Sequence, residues 1–225
     1  MKTGFGLAIV SGIALIASSC APVERRIAAK PLANPSAVVA AELAFARLAQ
    51  ERGQWAAFRQ TALRDAEMFV PQRVRAQEWL NGRAEPATAV KWQPHKVAIS
   101  CDGTAAMATG AAQWPDGSHS FFTTIWLRQP NGEWKWLLDH GGSVAAPIAA
   151  PEAVSTRVAA CTGSPPAEIM APAEGVDFKL GLSRDQSLTW SSTVSPDGGR
   201  RIVVKAWNGR DFEVVQDDRI GSGWE

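Results

Sequence analysis

The fold is decided by the stretch TTIWLRQPNGEWKWLLDHG, residues 123–141, which contains two strand-length runs on either side of a turn. Pro130-Asn131-Gly132 separates the two runs. An Asn-Gly pair between runs of this kind is typical of a β-hairpin, because both residues accept the backbone conformation that a tight turn requires. The stretch therefore predicts two antiparallel neighbours in a sheet.

The same pattern extends towards the N-terminus. VKWQPHKVAIS, TAAMATGAAQW and HSFFTTIWLR are strand-length runs, and the turns between them are Cys101-Asp102-Gly103 and Pro115-Asp116-Gly117-Ser118. Together with EWKWLLDH they predict a meander of four antiparallel strands over residues 90–140. Because apolar residues occupy both faces of these strands, we expect the sheet to be covered on both sides.

A helix is predicted before the sheet. Asn34-Pro35-Ser36 combines a capping residue with a proline suited to the first helical turn, and Gly53 marks the end of the helix. Val39, Leu43 and Ala46 recur at helical spacing, so we expect them to form its buried face.

Shorter elements lie between this helix and the meander. Trp55, Phe58 and Ala62 recur at helical spacing, whereas the run AEMFV, residues 66–70, suits a short strand. RVRAQEWLNGR, residues 73–83, predicts a third and short helix. Helices followed by a hairpin sheet are typical of an α+β domain.

The composition changes after the meander. Residues 143–175 are rich in Ala and Pro and predict a connection. SLTWSSTV, RRIVVKAW and DFEVVQD follow as three strand-length runs, joined by the turns Ser195-Pro196-Asp197-Gly198-Gly199 and Asn208-Gly209. These strands can cover the open face of the sheet. The sequence leaves open whether they extend that sheet or form a unit of their own.

The charge balance argues against one class of partner. Lys and Arg number 23, Asp and Glu number 22, and no basic stripe is present, so no nucleic-acid partner is expected. The sequence contains no phosphate-binding glycine loop, no nucleophile elbow and no His-Glu-x-x-His motif. We therefore predict no cofactor and no metal.

The N-terminus indicates export. Lys2 precedes the apolar run GFGLAIVSGIALIA, which is short for a membrane span, and Ser18-Ser19 leads into Cys20. The stretch ALIASSC resembles the lipobox of bacterial lipoproteins, which implies that Cys20 is lipidated after cleavage. Ala17 stands where that family usually has Leu, so cleavage by an ordinary signal peptidase is an alternative, as is an uncleaved anchor.

The remaining cysteines, Cys101 and Cys161, form an even pair. In an oxidising compartment this arithmetic favours a disulfide between them, and two separate buried thiols is the alternative. Neither cysteine has a second ligand at short spacing, and the histidines are scattered, so we predict no metal site here.

The order of elements resembles the cone of the nuclear transport factor 2-like superfamily, which includes ketosteroid isomerase, scytalone dehydratase and SnoaL-like cyclases. The resemblance is carried by RDAEMFVPQRVRAQEWLNGR (64–83), SCDGTAAMATG (100–110) and the stretch 123–141, and it spans residues 36–142. It implies a curved sheet wrapped around helices, a pocket in the mouth of the cone, and dimerisation through the sheet. Many functions share this fold, so the resemblance identifies no activity.

The chain is thus predicted to be an α+β protein with a cone-shaped domain and a β-rich C-terminal extension. The tether that follows the export signal is polar and contains proline. The predicted parts are a signal peptide (1–19), a tether (20–34), the cone-shaped domain (35–142), a connection (143–175) and the extension (176–225).

The resemblance implies that enzymes of this fold place an Asp or His inside the cone as a general base. The candidates are Asp65, in the turn before the first short strand, and Asp139 and His140, at the end of the last cone strand. Aromatic side chains are candidates for the pocket wall, although each can be core instead: Phe58, Trp79, Trp92, Trp114, Trp126 and Trp136.

Strand alternation separates the two neighbouring candidates. Regular alternation places Asp139 and His140 on opposite faces, so they form no dyad unless Gly141-Gly142 twists the strand end. We expect Asp139 to accept hydrogen bonds from nearby backbone or from an Arg at the strand end, and His140 to be a partly exposed terminus. Regular alternation predicts one face with Trp134, Trp136, Leu138 and His140, and the other with Lys135, Leu137 and Asp139.

Two functions fit these features. The first is a non-enzymatic envelope protein, anchored by lipid to a bacterial membrane on its periplasmic side, that binds a small apolar ligand or a protein partner through the cone. A soluble periplasmic or secreted protein is the alternative location. The second function is a dehydratase, isomerase or cyclase-like enzyme that uses Asp65, Asp139 or His140 for proton transfer.

Overall fold

The computed structural model describes residues 33–167 and 174–222, together with Met1. The predicted signal peptide and Cys20 lie outside the described residues, as does most of the tether. Within the described ranges, no helix has the length and apolar character needed to cross a membrane.

Three helices carry one layer of the fold: α1 (Pro35–Arg52), α2 (Gln54–Thr61) and α3 (Ala76–Leu80). Asn34 caps α1, because its side-chain oxygen accepts a hydrogen bond of 3.1 Å from the amide of Ser36. Gly53 separates α1 from α2 at a φ of 102°, a left-handed conformation that glycine adopts without steric cost.

The buried face of α1 differs from the predicted one. Leu43 is 44% exposed, while the fully buried positions form the series Val38, Glu42, Phe45 and Ala49. Both sets have helical spacing, and the alanines between them widen the apolar stripe. The prediction was wrong for Leu43, whereas Val39 packs against the core as a partly buried side chain. It also missed Glu42, whose carboxylate is buried with partners far along the chain.

The helices pack on a seven-stranded sheet with the order β2-β1-β6-β5-β4-β3-β7. The predicted antiparallel meander is present as β3 to β6, and β1 adds to it in parallel with β6. Its strands are β1 (Ala62–Phe69), β2 (Arg73–Arg75), β3 (Lys91–Ile99), β4 (Ala105–Gln113), β5 (His119–Arg128), β6 (Trp134–Val144) and β7 (Ser155–Val158).

Three local expectations need correction. The connection 143–175 contains β7, which pairs in parallel with β3 and extends the sheet. Asp65 lies within β1, not in a turn before it. The last cone strand continues to Val144, because Gly141 and Gly142 pair regularly with β5 and do not end the strand.

The C-terminal strands form a separate sheet with the order β11-β10-β9-β8. This answers the question that the sequence left open. The sheet packs against the face of the seven-stranded sheet that does not carry the helices, so the central sheet is covered on both sides. Its strands are β8 (Asp177–Leu182), β9 (Leu188–Val194), β10 (Arg200–Trp207) and β11 (Phe212–Ile220).

Two apolar cores therefore lie on opposite faces of the central sheet. The helix-side core includes Phe45, Trp126 and Trp136. The core between the sheets includes Met107 and Ile125 of the central sheet together with strand residues of the C-terminal sheet: Leu188, Trp190, Ile202, Val204 and Ala206.

A β-bulge in β6 decides which side chains face each core. Ile125 pairs with Leu138 and Trp126 pairs with Trp136, so Leu137 is the extra residue of β6. Trp136 consequently faces the helices, whereas Leu138 faces the C-terminal sheet. The predicted grouping of Trp136 with Leu138 and His140 was wrong, because regular alternation does not continue through a bulge.

The disulfide between Cys101 and Cys161 is present, with the two α-carbons 5.2 Å apart. Cys101 lies in the turn between β3 and β4, and Cys161 follows β7. The same turn is bound to the C-terminal sheet, because Ser187 accepts a hydrogen bond from the amide of Cys101 and Asp185 accepts one from the amide of Asp102. The disulfide thus fixes the segment after β7 to the cone, and the two hydrogen bonds join the same turn to the loop between β8 and β9 of the C-terminal sheet.

Candidate functional site

An apolar cavity of about 260 Å³ lies between the helices and the central sheet. Its wall is mainly apolar and rich in aromatic side chains, and a few polar side chains, among them Asp139 and Ser120, border it. Such a composition is typical of small-molecule sites, where apolar walls give affinity and a few polar groups fix orientation. The aromatic wall consists of Phe45, Trp55, Phe58, Phe69, Trp92, Trp114, Phe121 and Phe122.

The sequence of β4 helps to leave this space unfilled. On the helix side β4 presents only small residues, from Ala106 and Ala108 to Gly110 and Ala112. At Gly110 an added β-carbon would lie 2.0 Å from the carbonyl oxygen of Gln93, so no larger residue fits there without moving β3. Ala112 borders the cavity directly.

Asp139 is the carboxyl group of the cavity. Its Oδ2 accepts a hydrogen bond of 2.8 Å from the hydroxyl of Thr124 on the neighbouring strand. Asp139 lies deep inside the domain, and the partly accessible surface that it keeps faces the cavity. Burial raises the pKa of Asp139 to about 7, while the bond from Thr124 acts in the opposite direction. This carboxyl can therefore hold or release a proton near neutral pH.

A second carboxyl, Glu42, lies behind the cavity wall. Its two oxygens accept hydrogen bonds of 2.8 Å from the indole nitrogens of Trp92 and Trp126. The pKa of Glu42 is raised to about 7, mainly by burial and also by the charge of Asp139, while the hydrogen bonds from the two indoles act in the opposite direction. The two carboxyls are thus electrostatically coupled.

Glu42 was not among the sequence candidates. The signal that could have identified it is its place in the spacing Val38, Glu42, Phe45, Ala49, where a charged residue interrupts an otherwise apolar series. Its partners lie 50 and 84 residues away along the chain, and no local pattern predicts such pairs.

His140 faces the C-terminal sheet. Its Nδ1 accepts a hydrogen bond of 3.2 Å from Arg200 Nε, and its Nε2 lies 3.8 Å from a carboxylate oxygen of Asp218. The ring makes edge contacts with Phe69 and Phe121. Burial and, to a smaller extent, the charge of Arg200 lower the pKa of His140 to about 3, so the imidazole is neutral at physiological pH.

Arg200 connects this histidine to the rest of the fold. Its guanidinium donates to the carbonyl oxygens of Pro71 and of Gly141, the latter at 2.7 Å. Gly142 allows the close approach of the two sheets, because an added β-carbon would lie 2.7 Å from Ile220. His140 therefore belongs to the contact between the sheets, although the residue is among those that border the cavity.

Three of the six aromatic candidates line the cavity: Phe58, Trp92 and Trp114. Trp126 and Trp136 do not, because their rings are fully buried in the helix-side core. The indole of Trp136 donates to Thr61 rather than facing the pocket. Trp79 is outside the lining as well.

Trp79 packs at the outer edge of the helix layer. Its ring makes an edge contact with Trp55 at 5.2 Å, and the guanidinium of Arg83 lies 3.3 Å from its ring centre. The ring is therefore enclosed by α2 and by the segment after α3, and it does not reach the cavity.

Asp65 lies away from the cavity as well. It is exposed on β1 and borders a smaller pocket between the two sheets, near Glu67 and Lys179. Of the three acid-base candidates, the structure brings only Asp139 into the aromatic cavity with its polar atoms on that side of the sheet.

No family model matches the sequence, and no curated protein matches it. Solved structures of similar fold include a ketosteroid isomerase-like protein from Erwinia carotovora atroseptica (13% identity, 49% of this chain, 96% of that chain, TM-score 0.40). Another is a protein of unknown function, described as NTF2-like, from Shewanella baltica (14% identity, 49% of this chain, 94% of that chain, TM-score 0.37). A third is the CaMKII hub of S. rosetta (18% identity, 51% of this chain, 99% of that chain, TM-score 0.39). The likeness concerns fold over about half of the chain, and at these values it says nothing about activity or assembly.

Proposed function

We propose that the protein binds a small and largely apolar ligand in the cavity between its helices and its central sheet. The observation that carries the proposal is the cavity of about 260 Å³ with its aromatic wall and the carboxyl of Asp139. Apolar surface removed from water supplies binding free energy at roughly 25 cal/mol per Å² before the costs of association are subtracted.

The contacts within the wall indicate that the site exists before a ligand binds. The ring of Phe45 makes edge contacts at 4.8 Å with Phe58 and with Trp92, and Phe58 makes a further edge contact with Trp55. Trp92 is fixed by its hydrogen bond to Glu42. Because these rings hold one another in place, a ligand loses less binding free energy to the ordering of side chains.

A titration with neopentylbenzene, a neutral apolar probe, tests this proposal. We expect saturable binding to the wild-type protein and an affinity at least about tenfold lower for Ala112→Phe, whose new ring would occupy the cavity. Ala111→Phe is the matched control, because the side chain of Ala111 projects to the other face of β4. If the wild-type protein bound no probe, or if both variants bound it equally well, the proposal would be wrong.

Proton transfer is a second candidate function, favoured by one observation. Asp139 faces an apolar cavity and has a pKa raised by burial to about 7, which suits a general base or acid at neutral pH. The ring nitrogens of His140 are directed at Arg200 and Asp218 on the other face, so Asp139 would act without it.

The test for proton transfer uses 5-nitrobenzisoxazole, an aromatic probe whose ring opens when a base removes its carbon-bound proton. An active Asp139 predicts a rate above that of buffer, a rise in rate as the pH increases through about 7, and loss of this rate in Asp139→Asn. A wild-type rate equal to that of buffer, or an unchanged rate in Asp139→Asn, would contradict this second candidate.

Export and lipid anchoring at Cys20 are also proposals. The apolar N-terminal run that ends in Ser18-Ser19-Cys20 supports them, and the disulfide is compatible with an oxidising compartment. Mass spectrometry of the mature N-terminus should find acylated Cys20, and an unmodified terminus at a later residue would contradict the anchor. Association with a second copy is a further proposal; the C-terminal sheet covers one face of the central sheet, so a dimer would need other surfaces.

A further inference from the structure

We infer that the cavity selects ligands that carry a positive charge, namely apolar molecules with an ammonium group, over neutral molecules of the same shape. This inference rests on the proposed function, because it names the class of ligand that the same cavity would take. It is carried by the direction of the hydrogen bonds at two buried carboxyls, by the absence of Lys and Arg from the described residues of the lining, and by the aromatic wall.

The hydrogen bonds at the two carboxyls all run in one direction. Thr124 donates to Asp139, and Trp92 and Trp126 donate to the two oxygens of Glu42. All three bonds stabilise the carboxylate form, since a donor favours an acceptor that carries negative charge. In the described part of the chain, the structure shows no hydrogen bond to the other oxygen of Asp139, which leaves it available on the cavity side.

The described residues place no Lys or Arg in the lining to balance this arrangement inside the cavity. Arg200 donates to His140, to Pro71 and to Gly141, and it lies at the contact between the two sheets. A buried carboxylate without a nearby cation is costly, so a cationic ligand would supply the group that the site lacks.

The wall of the cavity suits the same class of ligand. Aromatic rings attract cations through the negative potential of their faces, so an ammonium group enclosed by such rings is stabilised by each ring whose face it contacts. Phe45, Phe58 and Trp92 form a continuous cluster of rings on one side of the cavity. A ligand with an alkylated ammonium group can therefore contact both rings and carboxylate.

Two probes of nearly equal shape separate the effect of ligand charge on affinity from the effect of burying apolar surface. Benzyltrimethylammonium carries a quaternary nitrogen at the position where neopentylbenzene has a carbon atom. We expect the wild-type protein to bind the cation at least about tenfold more tightly at pH 8. In Asp139→Asn this preference, measured as the ratio of the two affinities in the same variant, should shrink to within about threefold.

Each outcome of this comparison decides the inference. Tighter binding of the cation by the wild-type protein, with loss of the preference in Asp139→Asn, supports it. Equal or tighter binding of neopentylbenzene by the wild-type protein overturns it and leaves the proposed function intact. If neither probe bound, both would be wrong. The wild-type comparison alone is decisive if Asp139→Asn fails to fold, which circular dichroism would show.

Discussion

Asp139 and His140 are consecutive residues of β6 whose side chains take part in different halves of the molecule. Asp139 accepts a hydrogen bond from Thr124 beside the aromatic cavity, whereas His140 accepts one from Arg200 at the contact with the C-terminal sheet. The strand separates the two groups, so they do not act as a dyad in this geometry. Their pKa values are shifted by burial in opposite directions, and this gives them opposite effects on stability.

Replacement of Asp139 by Asn should make the protein relatively more stable as the pH rises. The folded state holds the proton of Asp139 up to a pKa of about 7, whereas the unfolded chain releases it near 3.8. The contribution of Asp139 to wild-type stability is therefore lost as the pH rises between these two values, by about 1.4 kcal/mol per pH unit. Urea unfolding of both proteins from pH 4.5 to 7.5 measures the difference. A difference that does not change with pH would contradict the buried position of Asp139.

Replacement of His140 by Gln should have the opposite pH dependence. The pKa of His140 is about 3 in the folded state and near 6.5 in the unfolded chain, so only the unfolded chain takes up the proton at intermediate pH. The contribution of neutral His140 to the stability of the wild-type protein is fully present above pH 6.5. It decreases as the pH falls towards 3, by about 1.4 kcal/mol per pH unit. Thermal unfolding at pH 7 and pH 5 should show a smaller acid loss for His140→Gln. Equal losses in both proteins would exclude a buried neutral imidazole.

A double-mutant cycle between Glu42 and Trp126 should show an interaction energy of at least about 1 kcal/mol. Glu42→Met leaves the buried indole of Trp126 without its acceptor, so a further Trp126→Phe replacement should cost less than it does in the wild-type protein. The cycle of Leu43→Gln with Trp126→Phe is the control. Because Leu43 is exposed, the effects of these two replacements on the free energy of unfolding should be additive within about 0.5 kcal/mol. Additivity in the Glu42 cycle would show that the bond contributes nothing.

Removal of the disulfide should destabilise the whole molecule. Cys101 and Cys161 are 60 residues apart, and closure of a loop of that length restricts the unfolded chain by roughly 4 kcal/mol in the chain-entropy model. Replacement of both cysteines by Ser should lower the free energy of unfolding of the cone and of the C-terminal sheet together. Loss of structure in the C-terminal sheet alone would show that the two sheets do not unfold as one unit.

Elements specified by local residues were predictable from the sequence. The strand His119–Arg128 has the bounds that its flanking turns indicated, because Pro, Asp, Asn and Gly act within a few residues. The disulfide followed from the number of cysteines. The bulge at Leu137 had no such signal, since it depends on pairing with Ile125 and Trp126 of the next strand. One inserted residue was enough to move Trp136 to the other face.

The candidate site was only partly predictable for the same reason. Asp139 was identified because the predicted last cone strand ended beside it, although that strand continues to Val144, and Phe58, Trp92 and Trp114 were identified by residue type. Glu42 was missed because two tryptophans from distant strands compensate its burial. The sequence likewise gave no sign that Arg200, 60 residues further along the chain, would pair with His140.

The central claim is that the aromatic cavity binds an apolar ligand beside Asp139, and nuclear Overhauser effects from a bound probe test it most directly. With neopentylbenzene bound to the wild-type protein, the tert-butyl protons should show effects to the ring protons of Phe58 and Trp92, which line the cavity. These effects should disappear in Ala112→Phe. Effects from the bound probe only to residues outside the cavity, such as those on the outer face of the C-terminal sheet, would contradict the account.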